Sequence, residues 1–229
     1  MLKGRRFETH VAAGSPARVL SEMAEQRHAD LIVLGSTHRG QHGRVVAGPV
    51  AERVLQNVPC PVAVAPRGFA RHDHAGLGVI AVGYNGSDES KMALREAERL
   101  ASRLEAELRL VAAVPPLARG QAIYVPILRE HFGKALTAAM ASLSTDDEAE
   151  SVLLDGEPAA VLADQGLEAD MLVIGSRGYG PLRRVLLGGV SAAVMRTAPC
   201  PVLVVPRSSG SEQDDEERSR GDTAPAVRA

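Results

Sequence analysis

The sequence predicts an α/β protein: a parallel five-stranded sheet with helices on both faces. Two observations carry this. Short, continuously apolar runs such as "GVIAVGY" (78–84), "ELRLVAAV" (107–114) and "DMLVIG" (170–175) alternate with segments of helical periodicity. Strands apolar on both faces belong to a parallel sheet covered on both sides. The chain also repeats itself: residues 29–66 lie over 169–206 without a gap. Such self-similarity marks a structure assembled from copies of one unit.

The repeat sets the organisation. Asp30 matches Asp170, Gly35 matches Gly175, Gly48 matches Gly188, and the Pro-Cys-Pro triplets at 59–61 and 199–201 coincide. Upstream, "AAGSPARVL" (12–20) resembles "LDGEPAAVL" (154–162), whereas roughly 76–150 has no counterpart in the first copy. The chain thus reads as half a copy over 1–66, a linker over 67–77, a whole copy over 78–206 and a disordered tail over 207–229. The tail, "RSSGSEQDDEERSRGDTAPAVRA", has almost nothing to bury.

Each element of the whole copy has a local cause. The strand at 78–84 ends at Asn-Gly-Ser, a turn signal. Residues 87–106 put Ala93, Leu94, Ala97, Leu100, Ala101 and Leu104 on one helical stripe. Ser87 caps that helix, and Asp88 and Glu89 suit the positive end of its dipole. Pro115 and Pro116 stop the strand at 107–114. A helix over about 127–142, a strand at 149–155, a short helix from Pro158, a strand at 170–175, a helix over about 189–197 and a strand at 201–206 complete the copy. In the first copy, strands are expected at about 9–13, 30–34 and 61–66. The last strand of each copy, 61–66 and 201–206, is a short apolar edge, a liability if left open. Pairing of the two, edge to edge, is the expectation.

Composition narrows the function classes. Of 229 residues, 45% are apolar and 24% charged, as in an ordinary globular protein. A net charge of −2 gives no reason to expect nucleic acid or an anionic membrane. Three Phe, three Tyr and no Trp make base-stacking platforms an unsuitable reading. No apolar run approaches the roughly 20 residues that span a bilayer, and "MLKGRRFETH" lacks the pattern of a secretory signal. Two cysteines make no disulfide framework. A cytoplasmic protein with neither nucleic-acid nor membrane partners is expected.

The stretch "GSRGYGPLRRVLLGG" (175–189) carries the chemistry. It joins a strand ending at Gly175 to a helix entered at Gly188–Gly189, with Gly178 and Gly180 between. Glycine lets backbone N–H groups approach a ligand closely, and a helix N-terminus favours an anion. A phosphate chain is the natural occupant. On these residues alone, the alternative of a tight turn and a plain helix entry stays open. In such sheets ligands bind beyond the carboxyl ends of the strands, where the winding reverses.

The spacing G-x-x-G-x9-G after the fourth strand, met by Gly175, Gly178 and Gly188, resembles the signature of the universal stress protein family. "VGYNGSDESKMALREA" (82–97), "GEP" (156–158) and "PCPVLVVP" are also similar to that family. The resemblance implies a Rossmann-like, adenine nucleotide alpha hydrolase-like fold. It further implies a nucleotide-binding, stress-response regulatory protein with no committed reaction, taking ATP with or without Mg2+. Carried over by position, it implies Gly83 and Asn85 at the opening loop and Val114 at the end of the second strand. It also implies Gly175, Ser176, Arg177, Gly178, Gly180 and Pro181 in the loop, then Gly188, Gly189, Val190 and Ser191 at the helix entry. Two departures matter: Asn85 stands where the family has Asp, and Gly189 where it has Ser or Thr, Ser191 being a partial replacement. Association through the last strand is implied as well, as a homo-oligomer or as an intrachain pseudo-dimer. The first copy has His38 for the second glycine and Pro49 for the Ser/Thr, and lacks the adenine-binding half, so it is not expected to bind nucleotide by itself. The alternative reading is a dimerisation or scaffold protein with a decayed pocket; a slow ATP hydrolase ranks third.

Other features carry no site. His38 and His42 are four apart but fall in a loop with no third ligand nearby, so no metal site is expected. His72 and His74 read as solvated linker, and Cys60 and Cys200 as inert packing at equivalent strand starts. Arg183 and Arg184 suit phosphate or solvent equally. "GKA" (133–135) lacks the remainder of a phosphate-binding P-loop, and the glycines of "GLGVIAVG" (76–83) precede their strand rather than follow it. No Ser–His–Asp set or carboxylate pair is apparent, so no catalytic residue is assigned.

Overall fold

The computed structural model describes residues 7–38, 40–56, 58–69, 76–118, 120–143, 149–178, 185–186 and 188–206. The tail at 207–229, most of the linker with His72 and His74, and Gly180, Pro181, Arg183 and Arg184 lie outside the described residues. The first copy contributes α1 (Pro16–Gln26), β1 (Ile32–Gly35), α2 (Pro49–Leu55) and β2 (Val62–Ala65). The second contributes β3 (Val79–Gly83), α3 (Asp88–Leu104), β4 (Glu107–Val114), α4 (Val125–Ser142), β5 (Ala149–Asp155), α5 (Pro158–Gln165) and β6 (Met171–Gly175). A two-residue pair, β7 (Arg177–Gly178) and β8 (Val185–Leu186), precedes α6 (Gly189–Thr197) and β9 (Val202–Val205).

Local chemistry accounts for the helix starts. Proline opens α1, α2 and α5 at or next to the first helical position, where its missing N–H costs nothing. At α3, the Ser87 side chain accepts from the Ser90 N–H at 3.3 Å, as the sequence predicts. Among the described residues, no helix is long and apolar enough to cross a membrane.

The expected five-stranded parallel sheet of the whole copy is present, and the half copy extends the sheet beyond it. It has seven strands in the order β1-β2-β9-β6-β3-β4-β5. The second copy's five strands are parallel throughout, and β1–β2 is also parallel. The added strands join through an antiparallel pair, β2 with β9, the last strands of the two copies. Val62 faces Val204, Val64 faces Val202, and the central pair is Ala63 with its own repeat counterpart Leu203. A local two-fold therefore runs between these two residues, so each copy presents the same edge to the other. Two open edges are removed at once.

Two apolar layers sandwich this sheet. One lies beneath α1, α2, α5 and α6 and runs across both copies, from Val54 and Val62 to Leu172, Val194 and Met195. The other lies beneath α3 and α4 and includes Ile80, Leu110, Val173 and Leu203 together with Ala63 of β2. Asp170 ties β6 to the start of β3, its Oδ2 accepting from the N–H groups of Gly78 (2.8 Å) and Val79 (3.0 Å).

The first copy is covered on one face only. Val33 of β1 is 65% exposed, whereas its counterpart Val173 on β6 is 0% exposed. In the second copy β3 pairs with β6 and α3 packs over it; among the described residues β1 has no such neighbour. The strand expected at about 9–13 is not formed: residues 7–13 are exposed and irregular. Its counterpart β5 forms because β4 supplies a seven-residue partner ladder, and the first copy has no equivalent of β4.

A continuous sheet and a shared core make one cooperative unit. Calorimetry should give a single unfolding transition, with no separate melting of the first copy. Leu203→Ala, at the joint, should lower stability by about 2–5 kcal/mol in urea titration.

Candidate functional site

The carboxyl ends of β3, β4 and β6 meet where the winding of the second copy reverses. From β3 the chain proceeds outward to β4 and β5, while β6 and β9 lie on the other side. A cavity of about 270 Å³ opens there. Gly83, Asn85, Gly175, Gly188, Val190 and Ser191 line it, six of the residues singled out from the sequence. Ser87, Glu89 and Ser90 of the α3 entry add polar groups, and Val111, Ala113, Pro115, Phe132, Leu162 and Ile174 add an apolar wall.

Five of the remaining residues are described, and Val114, Ser176 and Gly189 among them do not line the cavity. Val114 is buried beside the cavity rather than on it, and its carbonyl accepts from the Gly156 N–H at 3.0 Å. Strand alternation explains this, since Val111, Ala113 and Pro115 take the lining positions. Ser176 is fully buried behind Gly175, its N–H donating to the Val205 carbonyl. Its hydroxyl has no hydrogen-bond partner among the described residues. Gly189 occupies the exposed first position of α6. Arg177 and Gly178 form β7, paired with Leu186 and Val185 of β8.

Each glycine at the site has a distinct reason. A Cβ on Gly175 would lie 2.5 Å from the Glu89 carbonyl oxygen, in the first turn of α3. Gly175 therefore lets β6 end directly against that helix. A Cβ on Gly83 would press on Leu162 and Ile174 at 3.1 and 3.2 Å and fill the cavity floor. At Gly189 the space is open, with nothing among the described residues within 4 Å.

Three helices point their N-termini at this cavity, and they differ in what those ends have left to offer. At α3, Asn85 Oδ1 accepts from the Ser87 N–H at 3.0 Å and the Ser87 side chain caps the Ser90 amide. At α5, Pro158 has no N–H, and the amides of Ala160 and Val161 turn back to the Glu157 carbonyl. At α6, Gly188 is the N-cap and no side chain caps the helix. The amides of Gly189, Val190 and Ser191 have no acceptor within the helix, as at any helix start. The Ser191 hydroxyl donates to the Gly175 carbonyl at 3.0 Å, which closes β6 onto α6 and engages its proton. Asn85, its Oδ1 engaged by Ser87, keeps its amide N–H groups as donors.

The equivalent place in the first copy is filled by protein. Ser36 Oγ donates to the Ala65 carbonyl at 2.7 Å and accepts from the Val46 N–H at 3.0 Å. The Thr37 N–H donates to the Val46 carbonyl, and a Cβ on Gly40 would lie 2.9 Å from Val46. Val45 is wholly buried, and the Thr37 side chain lies over Gly48 at the head of α2. Among the described residues, no group of three or more His, Cys, Asp and Glu is gathered as a metal site.

A model of the Universal stress protein family matches residues 2–66 and 77–206. This chain belongs to the universal stress protein family. A universal stress protein of Mycobacterium tuberculosis is 29% identical over 211 residues, covering 86% of this chain and 71% of its own. One of Thermus aquaticus is 33% identical over 132 residues, 55% of this chain and 96% of its own. In fold, this universal stress protein is similar to one from Archaeoglobus fulgidus. That structure has a TM-score of 0.61 and 24% identity, with 85% of this chain and 68% of that one aligned.

Two outcomes follow. Gly175→Ala should destabilise the fold by at least about 2 kcal/mol, because the clash is with backbone, while Gly189→Ala should stay within about 0.5 kcal/mol; urea titration compares them. Burial also pushes the Cys200 thiol from 9.0 up to about 12. Below pH 9 folded and unfolded thiols are both protonated and nothing is lost. As pH rises from 9 toward 12 only the unfolded thiol ionises, so stability should fall across that window. Cys200→Ala, titrated in parallel, should show a shallower alkaline decline.

Proposed function

We propose that this universal stress protein binds an adenine nucleotide in the cavity above β3, β4 and β6 and acts as a stress-response regulator without a committed reaction. The observation that carries the reading is α6: of three helix N-termini at the cavity, it alone starts with neither a capping side chain nor a proline, and bare glycine leads into it. Unpaired amides and the positive end of a helix dipole suit a phosphate. The apolar wall from Val111 to Phe132 suits a base, and the Asn85 amide suits an oxygen of the sugar. On this reading the ligand-binding unit is the whole copy, 78–206, and the half copy, 1–66, supplies the β2 strand that completes the intrachain pairing and binds no nucleotide itself.

A second reading, a scaffold protein with no ligand, draws on one observation. Asn85 Oδ1 and the Ser191 hydroxyl are already hydrogen-bonded within the protein. Mass spectrometry of the purified protein separates the two: recovered adenine nucleotide supports the first, and ligand-free protein the second.

The sharper test is Gly189→Asp. An acidic residue in the first turn favours the helix dipole, so melting temperature should hold or rise. The same carboxylate occupies the open space where the phosphate is placed and repels it. Calorimetric titration with ATP should show affinity reduced at least about tenfold, since charge-assisted hydrogen bonds are worth roughly 1.5–3 kcal/mol each. Unchanged affinity would move the site elsewhere.

A further inference from the structure

We infer that the loop of the first copy, through Arg44, Val45 and Ala47, positions α6 and thereby sets the geometry of the site at that helix's other end. The inference starts from the carbonyls that any helix leaves unpaired at its C-terminus. In α6 the chain cannot supply enough donors: Ala198 N–H turns back to the Val194 carbonyl, and Pro199 follows with no N–H at all. The first copy supplies them instead. Arg44 Nη1 donates to the Thr197 carbonyl at 2.6 Å, Ala47 N–H to the Met195 carbonyl at 3.2 Å, and Val45 N–H to the Ala198 carbonyl at 2.8 Å.

Packing and charge act in the same sense. Val45 is wholly buried in the core that holds Val194 and Met195. The Arg44 guanidinium sits at the negative end of the helix dipole, where a cation is favoured. At the N-terminal end, Ser191 ties the helix to Gly175. A helix of nine residues is a rod about 13 Å long. Held at both ends, it carries any tilt at Thr197 to the amides of Val190 and Ser191.

The loop of the first copy thus caps the neighbouring copy's helix. The antiparallel joint makes this unavoidable, because it turns the carboxyl ends of β1 and β2 toward the amino end of β9. Linkage is reciprocal: whatever fixes the N-terminus of α6 must also steady residues 44–47. For the ligand, the inference rests on the nucleotide reading; for the helix, it does not.

The full chain is tested as Arg44→Glu, with Arg44→Lys as the conservative rescue. Without ligand, hydrogen exchange should be faster at the interior α6 amides Val194 and Met195 in Arg44→Glu, by about fivefold over Arg44→Lys, while the α3 amides stay unchanged. Equal rates in the two variants would overturn the positioning role. In calorimetric titration with ATP, Arg44→Glu should bind about fivefold more weakly than wild type, and Arg44→Lys should restore most of the loss. Wild-type affinity in Arg44→Glu would overturn the coupling. A wild-type chain that takes up no ATP would instead remove the nucleotide reading and the coupling with it, leaving the exchange comparison to decide the helix. Should Arg44→Glu fail to fold, exchange at the Val45 and Ala47 amides in the wild type decides: slower exchange under saturating ATP supports the coupling, and unchanged exchange overturns it.

Discussion

Three residue pairs between β2 and β9 organise this molecule. Taken singly, each of these strands is the short apolar edge of an open sheet. Pairing them satisfies both rows of backbone groups and merges two sheets into one of seven strands. Because the pair is antiparallel and centred on Ala63 and Leu203, the two copies run in opposite senses across it. Their helices then share one apolar layer, in which Val54, Leu55, Val194 and Met195 are all essentially sealed from solvent. The carboxyl-end loop of one copy is thereby brought to the amino-end turn of the other.

That arrangement divides labour between two stretches of related sequence. In the second copy Gly175 and Gly188 line a cavity, at whose mouth α6 starts without a side-chain cap. In the first, Ser36 and Val46 fold the loop onto itself, and its outer residues serve α6 of the other copy. The difference traces to few positions. Pro49 removes an amide at the head of α2, and Thr37 covers Gly48. The first copy also has no counterpart of β3, α3 and β4, the elements that wall the cavity on its apolar side. Val33, exposed where Val173 is sealed, records the same deficit.

Within the cavity, polar groups divide into those the protein uses and those it leaves. Asn85, Ser87, Ser90 and the Ser191 hydroxyl are engaged in closing loops and capping α3. The first-turn amides of α6 are the strongest donors left facing the space. On the proposed reading, backbone and dipole would hold the anion, with side chains acting as walls and braces.

Local signals in the sequence were sufficient for the strand and helix succession, the cap at Ser87, the proline stops and the internal repeat, because each depends on neighbours a few residues away. The glycine spacing was legible for the same reason, and so was the apolar character of the two last strands. What required the tertiary structure was anything set by residues distant in sequence. That Gly175 is demanded by the Glu89 backbone, that Phe132 and Leu162 wall the cavity while Val114 turns aside, and that the expected strand near 9–13 lacks a partner are all long-range facts. The edge-to-edge pairing of the two last strands was legible too, but its antiparallel register centred on Ala63 and Leu203 was not. A strand's apolar pattern states that it must be covered. Only the assembled fold decides by what, because hydrogen-bond partners and packing neighbours are chosen in space and not along the chain.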